Sequence, residues 1–448
     1  MMHHELEKYL PANRIMTKLS EREAFAGDKW MKGPTPDVVV RPRTTAEVAA
    51  VMCFAHERAI PVTTRGAGWG YVGGAVSNSG GICLSLDAMH SIREVSREDF
   101  VAVVEAGVVT ADLQRAAREM GLFYPPDPAS SAYCTLGGNI ATNAGGARCL
   151  KYGVTRNYVL GLEVVTADGT IFHLGGRTHK NKTGFDLLGL FVGSEGMLGI
   201  VTGATLKLLP APPARRAIAA VFAAISQAAN AVGAIFDAGV LPAALEIADE
   251  ATFAHFLAQH GLPPQRGAHV LIEVDGQIES ARAEIAEIKA VLRAVGAWDI
   301  EVADSEIEVE SLWETRRQFS ASLSASGKRK LNEDIVVPRG KLVELVEFAR
   351  VLGEKHGVEV ACFGHAGDGN IHVNLLLDSA QLERAEAILD ELFAQILTWG
   401  GAITGEHGIG LAKKRWWPSA ASPEVRALHQ TVKAALDPKG ILNPGKWL

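Results

Sequence analysis

A chain of 448 residues has room for two or three domains rather than a single core. With 48% hydrophobic and 21% charged residues it is too apolar for a disordered chain, and a net charge of -7 argues against an extended nucleic-acid footprint. The five cysteines (Cys53, Cys83, Cys134, Cys149, Cys362) form no CxxC pair, so neither a zinc ribbon nor an iron–sulfur cluster can be assembled locally. Residues 1–28 lack the apolar run of a secretory signal, and no stretch reaches the roughly 18 uninterrupted apolar residues of a membrane span. The expected localisation is cytoplasmic, or peripheral to a membrane, with no transmembrane segment and no nucleic-acid partner.

Residues 36–62, PDVVVRPRTTAEVAAVMCFAHERAIPV, read as a β-α-β unit with a helix N-cap near Thr44. Glycine is dense over 66–81 and again over 137–153, each time between short Val/Ile/Leu-rich runs. Loops of that composition either turn tightly or let backbone approach a ligand. After Pro210-Ala211-Pro212-Pro213 the texture changes to alanine-rich helical stretches alternating with strands. Helices are predicted at 225–238, 279–295, 305–325 and 339–356, and strands at 217–222, LEIA, AHVLIEVDG, 333–337, 358–363 and 371–376. That order predicts an antiparallel sheet carrying helices on one face. The tail, DPKGILNPGKWL, is too rich in Pro and Gly to extend a helix and is expected to lie over another surface.

The first glycine loop, Arg65-Gly66-Ala67-Gly68-Trp69-Gly70-Tyr71-Val72-Gly73-Gly74, exposes backbone N–H groups that can converge on an anion such as a pyrophosphate. It leads into a strand rather than opening a helix, so it is not the nicotinamide dinucleotide fingerprint. A second glycine-rich segment spans 135–146 and a third spans 191–202. In this order the three segments resemble the flavin domain of FAD-linked oxidases of the vanillyl-alcohol oxidase type, in its D-2-hydroxy acid dehydrogenase branch, and the resemblance runs from residue 36 to the C-terminus. It implies an α+β fold: an N-terminal helical segment (1–35), a two-part FAD-binding domain (36–210), an α+β substrate or cap domain with an antiparallel sheet and the metal site (211–420), and a C-terminal segment packing back on the FAD domain (421–448). It also implies that Arg65, Gly66, Ala67, Gly68, Trp69, Gly70, Gly73 and Gly74 hold the FAD pyrophosphate. Pro126, Gly137, Gly138, Thr142, Asn143, Gly145 and Gly146 would line the flavin, Gly196 and Ile200 would lie near the adenine end, and Asn443 would add a contact from the tail. Ala67 and Trp69 depart from the family pattern. The loop lacks the histidine that links flavin covalently in some relatives, so the expected FAD is non-covalent.

His365 and His372 flank a turn of small residues in GHAGDGNIH, so the two strands of a hairpin can bring both imidazoles to one point. Glu406 and His407 add a carboxylate and a third imidazole beside glycines. Two imidazoles and a carboxylate leave open positions on zinc or a similar divalent ion. Adjacent residues of an extended segment point to opposite sides, so one of the Glu406–His407 pair is expected to ligate and the other to handle a proton. The resemblance assigns His365, His372 and Glu406 as metal ligands and His407 as general base. It also assigns Arg316 as the arginine on the substrate carboxylate and Asn374 as a substrate contact. Arg317, about 100° around the same helix, reads as solvated. Where relatives that take a dicarboxylate carry a lysine this chain has Asn332, with Lys330 two residues off register.

The resulting expectation is oxidation of a D-2-hydroxy acid of the D-lactate, glycolate or D-2-hydroxyglutarate class to the 2-keto acid, with the hydroxyl proton passing to His407 and hydride to flavin N5. Electrons would leave to an external acceptor: a quinone, an electron-transfer flavoprotein, a cytochrome or an iron–sulfur subunit. Two other readings remain open on the sequence, a flavin-binding subunit without catalysis of its own and a zinc hydrolase whose glycine loops are only turns.

Overall fold

The computed structural model describes residues 2–448 and divides into two compact units. The first takes the chain up to Gly145, Val154–Ala211 and Glu406–Leu448; the second takes Gly146–Gly153 and Pro212–Gly405. The chain therefore leaves the second unit at Gly405, earlier than the expected boundary at 420, and the short segment Gly146–Gly153 belongs with the second unit rather than with the flavin domain.

In the first unit, the Thr44 hydroxyl accepts the Glu47 N–H and so caps the helix Thr45–Arg58. The strands on either side of this helix, Val38–Val40 and Val62–Arg65, both run parallel to Ile82–Ser85, which lies between them. The N-terminal segment, expected to be helical, is mixed: Ile15–Met16 adds an antiparallel edge to Val38–Val40. A separate antiparallel sheet orders Ile92–Ser96, Val101–Glu105, Ile200–Lys207, Val159–Val165 and Ile171–Gly175. Part of the second glycine-rich segment is a helix, Leu136–Thr142, whose Leu136 and Ile140 are buried one turn apart. Glycine is needed there for close approach, because a Cβ on Gly137 would meet the Ala106 Cβ at 2.7 Å. In the tail, Ile441 and Leu442 enter the core of this unit, and Leu442 bridges to Val62.

The second unit is built on a seven-stranded antiparallel sheet of β1 (Ala214–Phe222), β2 (Ala244–Ala248), β3 (Ala268–Gly276), β4 (Trp298–Ala303), β5 (Arg329–Val336), β6 (Glu359–His365) and β7 (Asn370–Leu377), in the order β4-β1-β3-β2-β6-β7-β5. Alternation along the strands gives it two different faces. One presents Ile218, Val270, Ile272, Leu245, Ile247, Ile371 and Val373, all buried, to the helices Ile225–Asp237, Ile278–Val295 and Leu342–His356. The opposite face carries Glu273, Glu246, His365, His372, Asn374 and Asp334, also buried. Helices therefore lie on both faces, correcting the one-faced expectation: Glu250–Gln259 and Glu306–Ser324 pack over the polar face through Phe253, Phe256, Phe319 and Trp313.

Candidate active site

The polar face gathers the histidine pair. His365 ends β6, His372 lies on β7, both are buried, and their rings meet edge to face with centroids 5.7 Å apart. Asp334 of β5 is paired in register with His372. Its Oδ2 accepts the Gly405 N–H at 2.8 Å and the Thr404 hydroxyl at 3.0 Å, while Oδ1 accepts the Asn370 amide at 2.7 Å. This anchors the backbone bonded to Glu406, and His365, His372 and Glu406 each offer a ligand atom within 4.8 Å of the other two. Two imidazoles and one carboxylate at that spacing suit a divalent ion that keeps open positions.

Glu246 of β2, in register with His365, is fully buried and bridges two groups. Its Oε1 lies 2.6 Å from His365 Nδ1, and its Oε2 accepts Arg316 Nε at 2.6 Å. Burial would raise its pKa, but the neighbouring His365 and Arg316 outweigh burial and hold it at about 2. Arg316 is 11% exposed in its side chain, whereas Arg317 is 45% exposed and pairs with Glu310 and Glu314, as expected of a solvated residue. Asn374 donates its amide to the carbonyls of Ala361 and His372; its Oδ1 and Oδ1 of Asn332, its cross-strand neighbour, are buried without a hydrogen-bond partner. Lys330 points to Ser320, donating to its carbonyl at 3.0 Å and its hydroxyl at 2.7 Å.

In the first unit, the loop Gly66–Gly74 folds over its own arginine. Arg65 is buried and donates to the Gly27 carbonyl at 2.6 Å, and a Cβ on Gly68 (φ +71°) would overlap its guanidinium. Gly66 abuts Thr135 and Gly138, Gly196 abuts Asn443 and Thr64, and Gly193 abuts Asn143, so all three glycine-rich segments and the tail converge. Thr142 donates to the Gly138 carbonyl, and the Pro126 carbonyl accepts from Gln114. The Gly73 N–H is taken by Asp28 at 2.7 Å. Trp69 stacks on Tyr133 at 4.1 Å with Lys29 Nζ 3.7 Å from its ring centre, so both departures from the family pattern sit in a loop buttressed by the N-terminal segment. The Ile200 side chain is spent on the apolar core, and Gly146 falls in the second unit.

Residues 405–407 run through bends rather than a strand, so strict alternation does not separate Glu406 from His407. Their neighbours do. Glu406 joins the histidine pair, while the His407 ring stacks on Tyr71 of the glycine loop at 5.0 Å.

Residues 36–175 match the model for the FAD binding domain, and residues 211–447 match that for the C-terminal domain of FAD linked oxidases. The chain belongs to the FAD-linked oxidase family. Glycolate oxidase subunit GlcD of Bacillus subtilis is 40% identical over 92% of this chain and 88% of its own length, and a D-lactate dehydrogenase of Anaerostipes hadrus is 37% identical over 92% and 89%. Among solved structures, p-cresol methylhydroxylase superposes with a TM-score of 0.79 at 18% identity, covering 99% of this chain and 96% of that one, which establishes the vanillyl-alcohol oxidase type of fold.

This FAD-linked oxidase has residues that fit its flavin. Around the glycine loop, Thr64 Oγ1, Ser77 Oγ, Thr135 Oγ1 and Asn443 Oδ1 are buried without hydrogen-bond partners, as polar atoms awaiting a polar ligand would be. Sequence reasoning missed the residues that hold the cradle. Asp28 ties the loop to the N-terminal segment, and Lys446, fully buried, donates to the Val76 carbonyl at 2.5 Å and Asn78 Oδ1 at 3.0 Å. Glu195 accepts the N–H groups of Ile409 and Gly410, each at 2.8 Å, and so fixes the chain just past His407. On the polar face it missed Glu246, Asp334 and Glu273. Only Glu246 carried a signal, a lone carboxylate inside the apolar strand Ala-Leu-Glu-Ile-Ala; Glu273 shares its strand with Asp275, and Asp334 follows Glu333 in a polar one.

Proposed function

We propose that this FAD-linked oxidase oxidises a D-2-hydroxy acid of the lactate or glycolate class to its 2-keto acid. The observation carrying this reading is the chain Arg316–Glu246–His365 on the polar face, in which His365 also belongs to a two-histidine, one-carboxylate group with His372 and Glu406. A 2-hydroxy acid presents a carboxylate and a hydroxyl on adjacent carbons, and the array offers a partner for each. The names of the relatives, a glycolate oxidase subunit and a D-lactate dehydrogenase, support the same class.

His365, His372 and Glu406 would hold the divalent ion, zinc being the natural choice for two imidazoles and a carboxylate. When bound, that ion supplies acidity to the substrate hydroxyl, and FAD supplies the acceptor for the C2 hydrogen with its electron pair. Arg316 fixes the carboxylate through its terminal nitrogens. His407, held flat by Tyr71, takes the hydroxyl proton. Asn374 offers its unpartnered Oδ1 to the substrate. The flavin is bound without a covalent link, and its electrons pass to an external acceptor, a quinone, an electron-transfer flavoprotein, a cytochrome or an iron–sulfur subunit. No helix of the described residues is long and apolar enough to cross a membrane; a cytoplasmic or membrane-peripheral location suits this reading.

Anaerobic mixing of the yellow protein with D- and L-2-hydroxy acids, followed at the flavin absorbance, tests it. Bleaching by D-lactate or glycolate but not L-lactate is expected. Failure of every 2-hydroxy acid to bleach the flavin would leave a flavin subunit without this chemistry. Acid precipitation should release all the yellow colour into the supernatant.

A further inference from the structure

Resting on the reading above, we infer that Glu246 is the positioning residue that aims the metal ligand His365 and the substrate arginine Arg316 together. The three side chains form one continuous chain: His365 Nδ1 to Glu246 Oε1 at 2.6 Å, and Glu246 Oε2 to Arg316 Nε at 2.6 Å. Each end uses the atom that leaves the working atoms of its residue to the site. Engagement of Nδ1 assigns ligation to Nε2 of His365, and engagement of Nε leaves the terminal nitrogens of Arg316, which hydrogen-bond to nothing among the described residues. The rest of Arg316 is braced by Phe363, whose ring centre lies 4.8 Å from the guanidinium carbon.

A carboxylate that fixes the tautomer and orientation of a metal-ligating histidine is worth roughly 10–100-fold in metal affinity. Here the same carboxylate also sets the fork that receives the substrate. It sits on a rigid strand: Glu246 is paired in register with His365 on one side and with Leu271 on the other. The distance between the two ends of the substrate site is therefore set by the span of one carboxylate. No other acidic side chain is hydrogen-bonded to Arg316 among the described residues.

The test uses the full-length flavoprotein, depleted of metal by a chelator and then titrated with Zn2+ against a chromophoric competitor. Glu246→Gln should weaken Zn2+ binding roughly 10–100-fold. At saturating Zn2+, reduction of its flavin by D-lactate or glycolate should remain roughly 10–100-fold slow, with kcat falling more than KM rises, because Arg316 keeps its charge but loses its aim. Glu246→Asp keeps the charge and with it the fold, but withdraws the carboxylate by about 1.5 Å, so it cannot span both partners and should show at least one of the two losses. Unchanged Zn2+ affinity in both variants would overturn the histidine half, and full recovery of the rate at saturating Zn2+ would overturn the arginine half. Wild-type flavin that no 2-hydroxy acid reduces would instead count against the functional reading, while the Zn2+ titration still judges Glu246.

Discussion

The two units build their binding surfaces from opposite materials. The first uses backbone: glycines whose missing Cβ lets its glycine-rich segments and tail approach closely, with side chains such as Asp28 and Lys446 holding the chain from behind. The second uses charged side chains held inside a sheet, where Glu273 alone carries Arg148, Arg215 and Trp313. The pyrophosphate of FAD is the same whatever the substrate and needs only donors at the right spacing, so braced loops suffice. A hydroxy acid must be gripped at two ends and turned one way, which calls for side chains whose rotamers are locked by packing.

The sharpest way to break this division is to remove the metal. Chelation should abolish flavin reduction by substrate and leave FAD bound, because the ligands proposed for the ion are side chains and the contacts proposed for the flavin lie in the glycine-rich segments. Undiminished reduction after the ion is gone would end the metal's role. Next in size is the contrast within one dipeptide. His407→Asn should keep the metal and lose on the order of 10²–10⁴ in flavin reduction, whereas Glu406→Gln should release metal. The opposite pattern would exchange their roles. On the backbone side, Gly68→Ala forces an unfavourable φ and a clash with the buried Arg65. With ~1–2 kcal/mol for the left-handed backbone alone, FAD should bind at least roughly 10-fold more weakly while Zn2+ affinity is untouched. Equal loss of both ligands would show that the two surfaces are not built independently.

The same division decides what the sequence disclosed. Backbone sites announce themselves because only glycine fits, so Gly66, Gly68 and Gly196 stand out as motifs. The GHAGDGNIH hairpin was legible for the same reason, and His365 and His372 do meet across it. What could not be read was support. Glu246 and Asp334 lie 119 and 36 residues from the partners they hold, His365 and Asn370, and no local pattern encodes a contact at that separation. The helix Leu136–Thr142 was hidden by its own glycines, which lower helix propensity but are required where Ala106 approaches. Much of the secondary structure after residue 213 followed from periodicity, but the helices Glu250–Gln259, Ala385–Thr398 and Pro423–Leu436 and strand β4 were not read, nor was which face would be polar, because β2 and β3 read as apolar runs with one or two acids.

Acid should act unequally on the two units, with the smallest but most direct effect. In the second unit His269 is buried among Phe253 and Phe319, and burial together with nearby Arg316 lowers its pKa to about 4 from 6.5. Burial would raise the Glu273 carboxyl, yet Arg148 and Arg215 outweigh it and hold it at about 2 against 4.5. In both cases the unfolded chain binds the proton first as pH falls, so what these two groups contribute is full above 6.5, declines from 6.5 to 4 through His269, and declines again from 4.5 to 2 through Glu273. Asp249, pushed up to about 7 by burial, runs the other way. Each group contributes a slope of at most about 1.4 kcal/mol per pH unit. In the first unit, burial raises the pKa of Glu195, so acid relieves rather than opposes its native state, and burial lowers Lys446 to about 8, a window above neutrality. Hydrogen exchange followed by mass spectrometry between pH 7 and 4 should therefore show peptides from β1–β7 losing protection before those from Val38–Arg65 and Ile82–Ser85. His269→Gln, which keeps a polar side chain of similar size that cannot titrate, should flatten the decline between 6.5 and 4 and leave that below 4 unchanged. Parallel loss of protection in both units, or an unaltered slope in the variant, would mean that buried charge does not set the acid limit of the second unit.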